Sequence, residues 1–365
     1  MIEFRKYSEI ENSYNEKFIN SLFMGGFGDK SIEYACYRKI DGSNVQISID
    51  EQDELVLGSR NQYVGTEFPG LKRVLEKDNL EEKLREAKKT LLSKALGDDK
   101  LSKFIDSSSR KLCMTVFGEL CGGLYRHQDV QRVKEATRVQ GRVDYSPDNE
   151  WIPFDLLLRD PEQCKSMVLN LDTLAKLCKQ VGLLCEIEEF RGTLRECLER
   201  SPVYIDDTGQ RLWSLPLIEG NVGEGFVVKP IEAQWLPNGS RVIVKSKNPK
   251  FKERIRASKA QSLELKGKLN ELEEKWLETL SEYMNESRVM SAVSKLGEIT
   301  KDSFGDLMRE ACTDALSDFK KDNGEELEKL QRSMDPKDFD FSKITKAFNR
   351  VASAAVREVF LREIS

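Results

Sequence analysis

Over residues 44–50, Val45, Ile47 and Ile49 alternate with Gln46 and Ser48, a period of two that predicts a strand with one buried face. Residues 33–40 and 54–59 read as two further strands, with Glu51-Gln52-Asp53 turning the chain between the second and third. From residue 80 to 104 the period changes. Leu80, Leu84, Leu91, Leu92 and Leu96 recur among charges, an amphipathic helix with a break at Gly97-Asp98. Residues 111–119 (KLCMTVFGE) and 150–158 (EWIPFDLLL) are apolar enough for buried strands. Pro153 should mark an edge or a bulge in the second, because proline cannot donate to a ladder. A helix over 171–181, a strand over 183–190 and a short helix near 193–200 follow, then strands over 224–229 and 241–246. Between the last two, Asn238-Gly239 is a hairpin signal.

After about residue 256 strand signals thin out, and helices are predicted over 260–284, 287–297, 303–320 and 342–363. The heptad in the first of these is too brief to favour a coiled coil. The pattern divides the chain into a mixed α and β domain, residues 1–250, and a helical domain, residues 256–365. A length of 365 residues fits two such domains.

Composition narrows the chemistry. No apolar run approaches the ~20 residues needed to span a bilayer. The start, MIEFRKYSEIENSY, has no apolar stretch behind a basic region, so neither a secretory signal nor a membrane span is expected. The eight cysteines form no C-x-x-C pair, which argues against a zinc ribbon and for reduced, mostly buried thiols in a cytosol-like compartment. The single histidine, His127, excludes H-E-x-x-H metalloproteases and two-histidine phosphotransfer. A Ser-His-Asp triad would have to use it, and no nucleophile motif accompanies it. Chemistry here must therefore run on lysine, carboxylate and metal. The net charge of −5 does not suggest a bulk nucleic-acid binder. Yet Arg241, Lys245, Lys247, Lys250, Lys252, Arg254, Arg256, Lys259, Lys266 and Lys268 face only Glu253 and Glu264 in that stretch. Such a strip can hold a phosphate backbone, or it can be a solvated helix face.

Lys39-Ile40-Asp41-Gly42-Ser43-Asn44 puts an amine beside a carboxylate and a tight turn. It reads either as a surface hairpin or as a site where an enzyme attaches a nucleotide to itself. A lysine nucleophile needs a neutral amine, whereas its free pKa is about 10.4; nearby cations lower it. Lys245 and Lys247, two apart on a strand, aim at one face and could supply those cations or grip a triphosphate. Glu224 enters an apolar strand behind Gly223, a placement that suits a magnesium ion bridging to phosphates. Phe117-Gly118-Glu119 likewise ends a strand in a carboxylate, and Phe154-Asp155 offers a ring able to stack on a purine.

Read in order, K-I-D-G-S-N, L-G-S-R60, F-G-E119-L, W-I-P-F154-D155, E224-G-F-V-V-K-P and V-K245-S-K247-N-P-K-F resemble the covalent nucleotidyltransferase superfamily of ligases and capping enzymes. The chain is most similar to the RNA ligase 2 type, which comprises nick-sealing phage ligases and kinetoplastid editing ligases. Three features carry that branch: the start from Lys6 to Tyr14, Asn44 with the K-S-K-N-P-K-F form, and the helical tail with Val293–Ile299 and Asp302-Ser303-Phe304-Gly305. The resemblance implies an α+β adenylyltransferase domain of antiparallel sheets with flanking helices, followed by an all-helical domain. It implies ATP as AMP donor, Mg²⁺ (with Mn²⁺ as a substitute), and RNA with 3′-hydroxyl and 5′-phosphate ends, at nicks in a duplex. Lys39 would form lysyl-AMP and Phe154 would stack on adenine, with Ile10 against the base. Arg60 and Glu119 would meet the ribose, and Asp41 and Asn44 would complete the nucleotide site. Glu224 would hold the metal, while Lys245 and Lys247 would bind phosphates. Two positions depart from the pattern. Asp41 stands where many such ligases have histidine, and Arg38 stands where relatives often carry a glutamate that reads the adenine amine. Arginine only donates, and so would suit guanine O6 better. A DNA ligase should instead carry a β-rich domain after residue 250. A non-catalytic nucleic-acid-binding scaffold should have lost one of Lys39, Glu224, Lys245 or Lys247, and all four are present.

Overall fold

The structure, a computed structural model, describes residues 3–251 and 269–364 apart from residues 78, 110, 298, 336 and 337. The expected helical start at 260–268 and the basic residues Lys252, Arg254, Arg256, Lys259, Lys266 and Lys268 lie outside the described residues. The chain forms two compact units, residues 1–250 and 251–365.

The first unit runs β1 (Glu11–Asn12), α1 (Glu16–Met24), β2 (Tyr34–Arg38), β3 (Ser43–Ile49), β4 (Leu55–Ser59), α2 (Leu71–Lys77), α3 (Leu80–Leu92), α4 (Asp99–Asp106), β5 (Cys113–Gly122) and β6 (Asn149–Asp160). It continues with β7 (Lys165–Val168), α5 (Leu171–Val181), β8 (Glu188–Gly192), α6 (Leu194–Glu199), α7 (Thr208–Trp213), β9 (Gly225–Pro230) and β10 (Val244–Lys247). The strands make two five-stranded sheets, β1-β10-β9-β2-β8 and β4-β3-β5-β6-β7. Every pairing between these strands is antiparallel except that of β1 with β10.

The alternation read in β3 has its expected result: Val45, Ile47 and Ile49 are fully buried, in one core with leucines of α3 such as Leu84 and Leu91. The outer face of the other sheet packs Tyr34, Cys36, Phe226 and Val228 against Leu22 of α1 and Leu194 and Cys197 of α6. A third, smaller cluster joins the sheets' inner faces: Phe117, Phe154 and Leu157 from one, Val227 from the other, with Tyr7, Ile10 and Ile243.

Several boundaries differ from the sequence reading. The break expected at Gly97-Asp98 is present, though α3 already ends at Leu92; Gly97 takes φ +69° and the Asp98 carboxylate caps α4. The strand expected over 183–190 forms only from 188. Gly182 ends α5 in the left-handed conformation, and Leu183 and Cys185 pack on the core as irregular chain. Helices α1, α2 and α7 and strand β7 had no clear periodic signal and were not anticipated. Pro153 sits in an interior strand, and the bulge it suggested is real: Phe117 faces Asp155 but Gly118 faces Pro153, so Phe154 is the extra residue. Asn238-Gly239 turns the chain between Trp235 and Arg241, which form a bridge.

The second unit packs α8 (Glu271–Ser281), α9 (Glu286–Leu296), α10 (Phe304–Ser333) and α11 (Phe341–Glu363) around Trp276, Leu280, Val289, Leu307, Phe319, Ile344 and Phe348. Among the described residues α8 begins at Glu271, where Asn270 and Glu273 close a capping box. Helix α10 runs thirteen residues past its expected end at 320. Gly324 costs only about 1 kcal/mol in a helix, and burial of Leu327 beyond it offsets that.

Candidate active site

The turn after β2 is held from three sides. The Lys39 amide donates to the Gly225 carbonyl at 2.8 Å, which ties the turn to the start of β9. Gly42 presses on β5: a β-carbon there would lie 2.3 Å from the Leu120 carbonyl oxygen and 2.9 Å from Cγ of Glu119. The segment leaving β5 closes the third side. The Gln140 amide donates to the Gly42 carbonyl at 3.4 Å, and the Asp41 N–H donates to the Tyr145 hydroxyl at 2.8 Å. Arg142 donates from Nε to Oδ2 of Asp41 at 3.1 Å and pairs through Nη2 with Oδ1.

Lys39 leaves this turn toward β9. Its Nζ lies 2.7 Å from Oε2 of Glu224, and Nζ of Lys247 lies 3.2 Å from Oε1 of the same carboxylate. Lys245 and Lys247 do share a face of β10, as their spacing required, while Val244 and Ser246 are buried on the other. The sequence reading had those two ammonium groups facing Lys39 directly; for Lys247 the shared carboxylate stands between them. Burial pushes the Glu224 carboxyl up, but Lys39, then Lys247 and Arg142, outweigh it and hold it below the usual range. Gly225 takes φ +135°, and a β-carbon there would lie 2.1 Å from the Ser246 carbonyl oxygen, so glycine lets β9 and β10 close around Glu224.

Glu119 faces Asn44 across the β3–β5 pairing. It keeps some solvent access, yet the surrounding protein pushes its carboxyl up to about 8; Lys39 opposes this, Glu224 and Asp41 add to it, and Arg60 is near enough to oppose it. Asp41 is also raised, by burial first, against the pull of Arg142. Lys39, Asp41, Asn44, Arg60, Glu119, Glu224 and Lys247 are thus brought to one region.

Ile10 and Phe154 meet in the inter-sheet cluster, and the bulge sets where the Phe154 ring stands. Beneath it, Lys229 donates to the Phe154 carbonyl at 2.9 Å, pairs with Glu186, and lies 4.5 Å from the Tyr37 ring centre and 5.7 Å from that of Phe154. Burial pushes Glu186 up to about 7 despite Lys229. Asp155 is buried, accepting from the Tyr7 hydroxyl at 2.8 Å and pairing with Arg241. Arg241 is therefore not part of a solvated cationic strip; it is a buried partner. Arg38 also departs from its expected role. Its Nε donates to Glu189 at 2.6 Å and its Nη1 to Thr208 at 3.1 Å, with Asp207 at 2.5 Å, on the face of β2 opposite Tyr37. Those donors are committed to Glu189, Thr208 and Asp207.

Sequence reasoning did not single out Arg142, Tyr145, Glu186 or Lys229 as site residues. Lys229 stood within the quoted E-G-F-V-V-K run, but nothing local marks the other three, which reach the site through loops and buried pairs. Among the described residues no group of three His, Cys, Asp or Glu side chains converges as a ligand set. A buried, ionised Glu224 instead fits a hard cation that takes most of its ligands from water and phosphate.

Comparison with known proteins identifies the family. A family model described as RNA ligase matches residues 32–247, and one described as T4 RNA ligase 2 C-terminal matches residues 267–338. The chain belongs to the RNA ligase family, in its RNA ligase 2 branch. It is 25% identical over 381 residues to RNA-editing ligase 2, mitochondrial, of Trypanosoma brucei brucei, covering 87% of this chain and 83% of that protein. Among solved structures, two Naegleria gruberi RNA ligase variants are similar, one apo and one with ATP and Mn. Both have TM-scores of 0.40, with 14% and 15% identity over 68% and 69% of this chain. This chain spans only 57% and 58% of those chains. No helix among the described residues is long and apolar enough to cross a membrane. All eight cysteines are free, and six are buried.

Proposed function

We propose that this chain is an ATP-dependent RNA ligase that joins 3′-hydroxyl to 5′-phosphate ends through lysyl-AMP and RNA-adenylate, at nicks in a duplex, in RNA repair or editing. The observation that carries the reading is the Lys39–Glu224–Lys247 constellation, in the same unit as the inter-sheet cluster that holds Ile10 and Phe154. Phe154 stacks on adenine with Ile10 against the base, while Glu119, Arg60 and Asn44 take the ribose side. Once the ion pair to Glu224 opens and a proton leaves, Lys39 Nζ attacks the α-phosphorus of ATP and pyrophosphate departs. Lys245 and Lys247 hold the phosphates and offset charge that develops on them. Glu224 is the residue to hold a magnesium or manganese ion, which would neutralise phosphate charge. The AMP then passes to a 5′-phosphate, and a neighbouring 3′-hydroxyl displaces it. Eight free cysteines favour a reducing compartment such as the cytoplasm.

A DNA ligase is the second reading; the helical second unit and its match to an RNA ligase C-terminal domain weigh against it. The test is transfer of α-phosphate label from ATP, with GTP in parallel, to the wild type and to Lys39→Ala, followed by sealing of nicked RNA and nicked DNA duplexes. ATP label on the wild type alone and preference for RNA support the proposal. GTP label points to capping chemistry instead, and preference for DNA to the second reading. No label from either nucleotide, in folded protein not already adenylylated, leaves a binding scaffold.

A further inference from the structure

Between β5 and β6 the chain places a cation at the reaction centre. Arg142 reaches back to the nucleophile turn and grips both oxygens of Asp41. The carboxylate is almost fully covered at 3% exposure, whereas the arginine side chain keeps 31%. Both charges lie within electrostatic reach of the Lys39–Glu224 pair, Arg142 of Glu224 and Asp41 of Lys39. Three cations, Lys39, Lys247 and Arg142, thus stand beside two carboxylates, Asp41 and Glu224. A triphosphate entering this array competes for the cations with a higher charge than either carboxylate. Arginine's planar fork suits phosphate oxygens, and its proton stays on at any working pH. The pair also gives a reason for an aspartate at position 41: a buried carboxylate there requires a counter-cation, and Arg142 supplies it.

We propose, on the reading that the chain adenylylates itself, that Arg142 is a phosphate-binding residue of the first step. It keeps Nε on Asp41 and turns its Nη end to the β- and γ-phosphates. In that step the Lys39 nitrogen lone pair forms the bond to the α-phosphorus, and the bond from that phosphorus to the bridging oxygen breaks. Pyrophosphate leaves with the electron pair, and the amine proton goes to solvent. Arg142 steadies the charge gathering on pyrophosphate, so it acts on ATP and pyrophosphate more than on the RNA steps.

The experiment compares full-length wild type, Arg142→Met and Arg142→Lys in three assays. These are label transfer against ATP concentration, discharge of lysyl-AMP against pyrophosphate concentration, and sealing of a pre-adenylylated nicked RNA. Arg142→Met should raise half-saturation for both ATP and pyrophosphate at least tenfold, more than it slows sealing. Arg142→Lys should recover part of that loss, because it restores charge without the fork. Equal losses in all three assays assign Arg142 to positioning the turn alone and overturn the proposal, as do unchanged ATP and pyrophosphate dependences. If Arg142→Met does not fold, Arg142→Lys carries the same comparison. A wild type that takes no label brings down the ligase reading and this inference with it, whereas a labelled wild type matched by Arg142→Met brings down this inference alone.

Discussion

Lys39 and Lys247 share the carboxylate of Glu224, at 2.7 Å from Oε2 and 3.2 Å from Oε1. Lys39 is therefore in an ion pair, and on the proposed function its lone pair is unavailable until that pair opens. Glu224→Gln keeps the shape but removes the charge that organises both lysines. Lysyl-AMP formation should fall by about 10²-fold or more, the scale seen when one preorganised electrostatic group is lost. Single-turnover label transfer measures it, and a loss under about threefold would remove Glu224 from the reaction.

The bulge at Phe154 should matter to nucleotide affinity. Stacking of a base on an aromatic ring contributes about 1–3 kcal/mol. Phe154→Ala should raise half-saturation for ATP by roughly 5–150-fold, and Phe154→Tyr should stay close to wild type. An unchanged ATP dependence in Phe154→Ala would place the base elsewhere.

Gly42 has no room for a side chain between the Lys39 turn and β5. Gly42→Ala drives a methyl group toward the Leu120 carbonyl, so Lys39 shifts away from Glu224. Self-adenylylation should drop at least 10²-fold while the protein remains folded by circular dichroism.

Asp155 and Arg241 are both buried, with Tyr7 completing the set. Removing one member leaves the other charge without its counter-ion, so Asp155→Ala should cost about 3–5 kcal/mol in urea unfolding. Stability within 1 kcal/mol of wild type, a threshold set by the ~0.5 kcal/mol scatter of surface substitutions, would contradict the pairing.

Glu119 and Glu186 have folded-state pKa values raised to about 8 and about 7, each by burial first. An unfolded glutamate titrates near 4.3, so between that value and about 8 the folded chain binds more protons than the unfolded one. The stabilisation from these groups is complete below about pH 4.3 and is lost as pH rises through 7 to 8. The nucleotide-free protein should therefore melt lower at pH 8.5 than at pH 6, and Glu119→Gln should shrink that difference. A difference no smaller in the variant would show that Glu119 is ionised throughout.

Much of this protein was legible along the chain. Two-residue alternation at Val45–Ile49, the leucine period of α3, and the change to helices after residue 256 are local patterns that burial must respect. That Lys245 and Lys247 share a face of β10 was also legible from their spacing, whereas the carboxylate of Glu224 between Lys39 and Lys247 was not. The pairings of Arg142 with Asp41, Arg241 with Asp155 and Lys229 with Glu186 were not, since their partners lie 101, 86 and 43 residues apart. Arg38 and Arg241 read as cations available to a ligand until packing surrounded each with carboxylates. Residue type and spacing determined which groups can do chemistry and which strands present them. Which charges face one another, which are neutralised and which carboxylates hold a proton depends on desolvation and distance across two sheets, and those quantities exist only once the sheets have closed.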